Sequence, residues 1–149
     1  MKIRRCSRLA IINNHGELLL FLYHDEHQAP FWATVGGELV DDESYRDAAA
    51  RELHEETGLI QEIGPLLRER DAVYAVARSE PARWLEKYFL VEWPDGADID
   101  NSQWTDEENC TIQRWKWWRL DEMAETPTNQ FKPDWLPELF EAILQRRAQ

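Results

Sequence analysis

Apolar residues fall in short runs along the chain, and their spacing changes from one run to the next. Leu9 to Ile12 and Leu18 to Tyr23 are β-rich runs separated by Asn13-Asn14-His15-Gly16, residue types that tolerate the left-handed backbone of a tight turn. The pattern predicts a β-hairpin. Phe31 to Val35 predicts a third short strand, stopped by Gly36-Gly37. From Ser44 the period lengthens to that of a helix. Ser44 stands in the capping position, Asp47 three residues on approximates a capping box, and Gly58 stands where a C-cap glycine belongs, so a helix spans Tyr45 to Thr57.

Leu85 to Trp93 predicts a buried strand around Tyr88, Phe89, Leu90 and Val91. Arg114 to Arg119 alternates charge with tryptophan as a strand does, with one of Trp117 and Trp118 facing inward and the other outward. Pro94 to Cys110 is acidic and aperiodic and reads as a long connection, a kind of segment that often carries function. Pro133 to Arg147 sets Trp135, Leu136, Leu139, Phe140, Ile143 and Leu144 at helical spacing, which predicts an amphipathic C-terminal helix docked on the core.

Length and composition narrow the class. The 149 residues, 43% hydrophobic and 31% charged, suit one compact domain over 1–149, with no repeat or linker. No apolar run approaches the roughly 18 residues of a spanning helix, and the stretch after Arg4 and Arg5 is too short and polar for a signal sequence, so a cytoplasmic setting without a membrane is expected. Cys6 and Cys110 lack metal-ligand spacing and read as isolated thiols. His15, His24, His27 and His54 show no zinc spacing and read as surface or turn residues. A net charge of −12 repels phosphate backbones and argues against a nucleic-acid polymer as partner, and it means that an anionic small molecule needs metal ions to bridge the repulsion.

The predicted helix breaks its own pattern. Tyr45, Ala49 and Leu53 form its apolar stripe, yet Glu52 and Glu56 fall inside that stripe and Glu55 lies at its margin beyond Ala48. Acidic pairs at i,i+3 and i,i+4 repel, and partial burial magnifies the cost unless a cation or a shared proton compensates. A solvated acidic face is the bland alternative, disfavoured by that position within the stripe. A divalent ion is the simpler compensation, and all-oxygen ligation favours Mg²⁺ or Mn²⁺ over zinc.

Gly37, Glu43 and then Arg51-Glu52-Leu53-His54-Glu55-Glu56-Thr57-Gly58-Leu59 resemble the Nudix box at every specified position. The match covers residues 37–59, with weaker likeness in the preceding hairpin, in Trp32 to Gly37 and in Trp117-Trp118-Arg119-Leu120 with Asp121-Glu122. The resemblance to Nudix hydrolases implies an α+β fold, an α/β/α sandwich whose mixed sheet lies between helices. It implies that Glu52, Glu55 and Glu56 bind metal and carry catalysis, joined by the Gly36 backbone carbonyl, while Gly37, Glu43, Arg51 and Gly58 support the loop.

The implied activity is cleavage of the pyrophosphate bond in a nucleoside diphosphate linked to another moiety, a nucleoside triphosphate or a nucleotide-sugar-like substrate. Glu52 is a candidate base, and Glu107 or Glu108 in the acidic connection are candidates for a further ligand or the base, against a reading as solvated loop charge. Among the eight tryptophans, Trp32, Trp84 and Trp104 are the candidates for base stacking, with core packing as the default. Substrate choice is expected to reside in residues 24 to 30, 70 to 84 and 94 to 111. A Nudix-like sensor without turnover is the alternative from another class; an isoprenyl diphosphate isomerase would need a thiol and a second acid in the cleft. Both monomer and homodimer fit the sequence.

Overall fold

The computed structural model describes residues 1–24, 29–75 and 79–148. Its spine is β1 (Ile3–Ile12), the centre of a seven-stranded sheet. The order is β3 (Phe31–Ala33), β2 (Leu18–Tyr23), β1, β6 (Ala82–Glu92), β5 (Leu66–Tyr74), with β4 (Val35–Glu38) joined to β1 and β7 (Ile112–Trp118) joined to β2. β1 and β6 run parallel from Ile3↔Arg83 to Ile12↔Glu92, while the other pairings are antiparallel. The opposite side of β1 is shared: β4 takes Cys6 to Leu9 and β2 takes Ile12. The sheet therefore forks, and the candidate site uses that fork.

Alternation along β1 supplies two cores. Leu9 and Ile11 pack with Ala49 and Leu53 of α1 (Tyr45–Thr57), whereas Ala10 and Ile12 pack on the opposite face with Met123 of α3 (Leu120–Ala124) and Leu136, Phe140 and Ile143 of α4 (Leu136–Arg147). This is the expected mixed sheet between helices. Helix α1 has the predicted bounds: Ser44 Oγ accepts from Asp47 N–H at 3.0 Å, and Gly58, left-handed at φ 79°, donates its N–H to His54 O at 2.8 Å. Ser7 Oγ donates to Tyr45 O at 2.6 Å, which pins the start of α1 to β1.

The structure corrects several boundaries. β1 begins at Ile3 rather than Leu9, because Arg4 and Arg8 are neutralised within the sheet by Glu38 and Glu86. The run from Phe31 is not stopped by the glycines; after β3 the chain re-enters the sheet as β4, with Gly36 opposite Arg8 and Gly37 opposite Ser7. Residues 66–74 form β5, where alternating charges on an edge strand mask the pattern. The long connection contains α2 (Asp106–Thr111), and the C-terminal helix begins at Leu136, with Pro137 in its first turn. Trp117 and Trp118 both face protein, Trp117 against Trp93 and Trp118 against Trp32 and Phe131, because both sheet faces are covered. Among the described residues no helix is long and apolar enough to cross a membrane. His27, most of the 24 to 30 segment and residues 76–78 of the 70 to 84 segment lie outside the described residues.

Candidate active site

The fork in the sheet opens a cleft of about 400 Å³, walled by Gly36 and Gly37 of β4, by Tyr23 and Phe31 from the other branch, and by Glu107 and Glu108 of α2. From the acidic stripe of α1, Glu56 lines it. Glu52 and Glu56 are buried, and each offers a carboxylate oxygen that lies, with one from Glu108, inside a group whose members are all within 4.8 Å of one another. Two of these three come from the box and the third from the acidic connection, so the structure brings together residues 52 positions apart (56 to 108).

Each carboxylate is positioned by its surroundings. Gly36 N–H donates to Glu56 Oε2 at 2.9 Å. The group named from the sequence was the Gly36 carbonyl; the atom in contact with Glu56 is its nitrogen. At Gly36, φ is 154° and a Cβ would stand 2.2 Å from Ser7 O, and at Gly37 a Cβ would stand 2.4 Å from the Glu52 carboxyl carbon. Gly36 thus lets β4 lie close against β1, and Gly37 lets it lie close to the helix. Glu108 is placed by the capping box of α2: Thr105 N–H donates to Glu108 Oε1 at 2.9 Å, and Glu108 N–H donates to Thr105 Oγ1 at 3.1 Å. Trp104 Nε1 donates to Glu56 O at 2.9 Å and Asp100 N–H to Thr57 O at 2.8 Å, which fastens the connection to the end of α1.

Arg51 ties the approach loop to the helix. Its Nε and Nη2 clasp Glu43 at 2.7 and 2.9 Å, and Nη2 also donates to Glu38 O at 3.0 Å. Its Nη1 donates to Glu52 at 2.8 Å and to Glu55 at 3.2 Å. Val40 N–H donates to the same Glu43 carboxylate at 3.0 Å, so loop, arginine and helix form one bonded unit. Glu55 is held by Arg51 and stands outside the carboxylate group that Glu52, Glu56 and Glu108 form.

The electrostatics are those of a site short of positive charge. Burial pushes the Glu56 carboxyl well above the usual carboxylate range, and the neighbouring Glu52 and Glu108 push it further. Burial also raises Glu52, although Arg51 offsets part of that. Arg51 in turn holds Glu43 below its ordinary value.

The aromatic candidates land differently. Trp32 and Trp84 are buried: Trp32 sits edge-on to Trp118, and Trp84 stacks on Tyr74 beneath Arg4. Arg4, paired with Glu38, gives Trp84 a polar neighbour as expected, and Arg114 lies over the Trp32 ring, so an arginine covers a ring face of each. Trp104 is half-buried against Phe21 and Trp115. The cleft is instead lined by Tyr23 and Phe31, stacked at 5.7 Å, and by Tyr74 and Tyr88. Sequence reasoning also missed Arg8, Arg70 and Glu86 in its wall. Their one visible signal is a charged residue interrupting an apolar strand, as in Ser7-Arg8-Leu9-Ala10 and Leu85-Glu86-Lys87-Tyr88. Among the described residues neither cysteine lines the cleft; Cys6 is buried in the sheet and Cys110 is exposed.

The sequence matches the NUDIX domain over residues 2–139. The chain belongs to that family. It is similar to the RNA pyrophosphohydrolase of Bartonella quintana (strain Toulouse), 25% identical over 134 residues that cover 79% of this chain and 77% of that protein. Among solved structures it resembles a MutT protein from Methanosarcina mazei Go1, with a TM-score of 0.71 and 18% identity over 99% of this chain and 97% of the other. It also resembles the dihydroneopterin triphosphate pyrophosphohydrolase of E. coli, with a TM-score of 0.68 and 15% identity over 95% of this chain and 97% of the other. The structural likenesses show a shared fold. Family membership supports pyrophosphate hydrolase activity.

Proposed function

We propose that this NUDIX protein hydrolyses the pyrophosphate bond of a nucleoside diphosphate linked to another moiety, using Mg²⁺ or Mn²⁺. The observation that carries the reading is the convergence of Glu52, Glu56 and Glu108 at the mouth of a cleft, with two of the three buried. Buried like charges at this spacing demand compensation, and an all-carboxylate donor set matches a hard divalent cation. The donors therefore fit the metal, with Glu52, Glu56 and Glu108 as its holders. The chemistry supplied by a bound divalent cation is neutralisation of phosphoryl oxygens and a more acidic water.

The chain's own residues do the rest. Gly36 N–H orients Glu56, Arg51 fixes one oxygen of Glu52, and the Thr105 capping box presents Glu108. Glu52 takes the proton of the attacking water. Glu107, exposed on the cleft wall, adds negative charge that repels an anion arriving without a cation. Tyr23 and Phe31 offer a stacked aromatic wall for the nucleoside. Purified protein incubated with a panel of nucleoside triphosphates and diphosphate-linked nucleosides, in Mg²⁺ or Mn²⁺ and in chelator, tests the reading. A nucleoside monophosphate product that appears only with metal is expected. Binding without turnover across the panel would favour a sensor instead.

A further inference from the structure

One ion cluster in the cleft has no part in the chemistry above. Glu86 has no exposed side-chain surface and lies between two arginines: Arg8 Nε donates to its Oε2 at 2.8 Å and Arg70 Nη1 donates to its Oε1 at 3.0 Å. All three line the cleft. Burial works against the Glu86 charge, but Arg8 and Arg70 outweigh it and hold the carboxyl below its ordinary value. Among the described residues the cluster thus carries two positive charges and one negative, an excess of one cation in a chain of net charge −12. Tying three strands together does not require that excess, since one arginine neutralises one glutamate and apolar residues of similar size fill such a position at no greater cost.

Glu86 uses one N–H of each guanidinium, out of the five that the group carries, and fixes both in orientation. The Tyr74 hydroxyl is buried beside Arg8 and Glu86 and helps to hold the Glu86 carboxyl down. The cluster adjoins the carboxylates. Arg8 Cδ passes 3.1 Å from where a Cβ on Gly36 would stand, and Gly36 N–H is the donor to Glu56.

Resting on the hydrolase reading above, we propose that Arg8 and Arg70, oriented by Glu86, bind a second phosphate of the substrate, one outside the diphosphate that is cleaved. Two guanidinium forks offer more donors than a carboxylate's two oxygens accept, whereas a phosphate's oxygens can face both forks. The second phosphate can come from a longer polyphosphate chain, from a phosphorylated ribose or from an internucleotide linkage. The site therefore selects substrates that bear an extra phosphate over nucleotide sugars that lack one.

The test uses pairs of compounds that differ by one phosphate: a nucleoside triphosphate against its diphosphate, ADP-ribose 2′-phosphate against ADP-ribose, and a 5′-triphosphorylated dinucleotide against a nucleoside triphosphate. In one pair or more, the wild-type kcat/KM should favour the extra phosphate by about tenfold or more, the factor that one charge-assisted hydrogen bond contributes. Arg70→Gln, which leaves Glu86 paired with Arg8, should bring that ratio close to one through KM, and Arg70→Lys should restore part of it. Arg83→Gln removes another β5–β6 ion pair, Arg83 with Asp71, outside the cleft, and should keep the ratio. Equal rates within every wild-type pair, or a ratio unchanged in Arg70→Gln, overturns the proposal. If no compound is turned over, the hydrolase reading fails, and the preference is read from calorimetric affinities of the same pairs; equal affinities or no binding then overturns this inference as well.

Discussion

Glu56→Gln should abolish turnover and at the same time stabilise the metal-free protein, two effects of opposite sign from one atom. Glu56 is 2% exposed, accepts from Gly36 N–H, and faces Glu52 and Glu108. The glutamine oxygen keeps the Gly36 bond, and its amide can donate to Glu108. What disappears is a buried charge whose proton affinity is raised by burial first and by its carboxylate neighbours second. A carboxyl with a folded pKa above its unfolded one binds more protons in the folded state, so stability is complete at low pH and is lost as pH climbs past the unfolded value of about 4.3.

The slope reaches about 1.4 kcal/mol per pH unit for each such group, so wild-type protein in chelator should lose roughly 1–3 kcal/mol between pH 5 and 7. Glu52, also raised, adds to the same slope. Glu43 and Glu86, both lowered, act in the opposite sense: their contribution is present above the unfolded pKa and is lost only as pH falls below it, so they are silent in this window. Urea denaturation at pH 5, 6 and 7 in EDTA measures the effect. Glu56→Gln should show a shallower slope and exceed wild type at pH 7 by about 1–2 kcal/mol, with no turnover in Mg²⁺. Equal slopes for the two proteins would refute the account of a mutually repelling buried cluster.

Three further outcomes follow from the same geometry. Glu52→Gln should lower kcat by roughly 10²- to 10⁴-fold, while His54→Gln, a change at a neighbouring helix position outside the carboxylate group, should stay near wild type in the same steady-state assay; the reverse order would place the chemistry on the wrong face. Millimolar Mg²⁺ or Mn²⁺ should raise the melting temperature of wild type and leave Glu56→Gln nearly unmoved, as differential scanning fluorimetry would show. Arg51→Ala should cost about 2–4 kcal/mol in urea denaturation, because Glu43 and Glu52 lose charge-assisted bonds made in partly buried surroundings, and a loss under 0.5 kcal/mol would mean that the clasp is solvated.

The helix that carries Glu52 and Glu56 was legible because local rules set it: Ser44 caps it, Gly58 ends it, and the two glutamates occupy positions that its own periodicity reserves for apolar residues. The third carboxylate was legible only as a candidate, since a solvated glutamate and one delivered into a site look alike until the fold closes the distance from 56 to 108. β5 escaped notice because Arg68, Arg70 and Asp71 lie on an edge strand, where charge is tolerated on both faces. Arg8 and Glu86 compensate one another across parallel strands, and such pairing depends on register, which no single segment reveals. The tryptophans failed as indicators of a binding surface for a related reason. Trp32 precedes the double glycine and Trp84 follows Arg83 in sequence, yet in space the two are buried against Trp118 and Tyr74.

Glu108 sits on a helix of six residues, α2, that has no buried side chain of its own. A helix this short does not persist through its backbone bonds alone. Its order is borrowed from the Thr105 box and from the indole of Trp104 anchored on the last turn of α1. Glu108 Oε1 closes that box, and a carboxylate oxygen of Glu108 lies within 4.8 Å of ones from Glu56 and Glu52, so the same side chain starts a helix and joins the proposed ligand shell. Occupancy of the shell and winding of α2 are therefore two readings of one equilibrium. Whatever draws the three carboxylates together also draws α2 into register, and a chain in which α2 is already wound has less disorder to surrender when the occupant arrives.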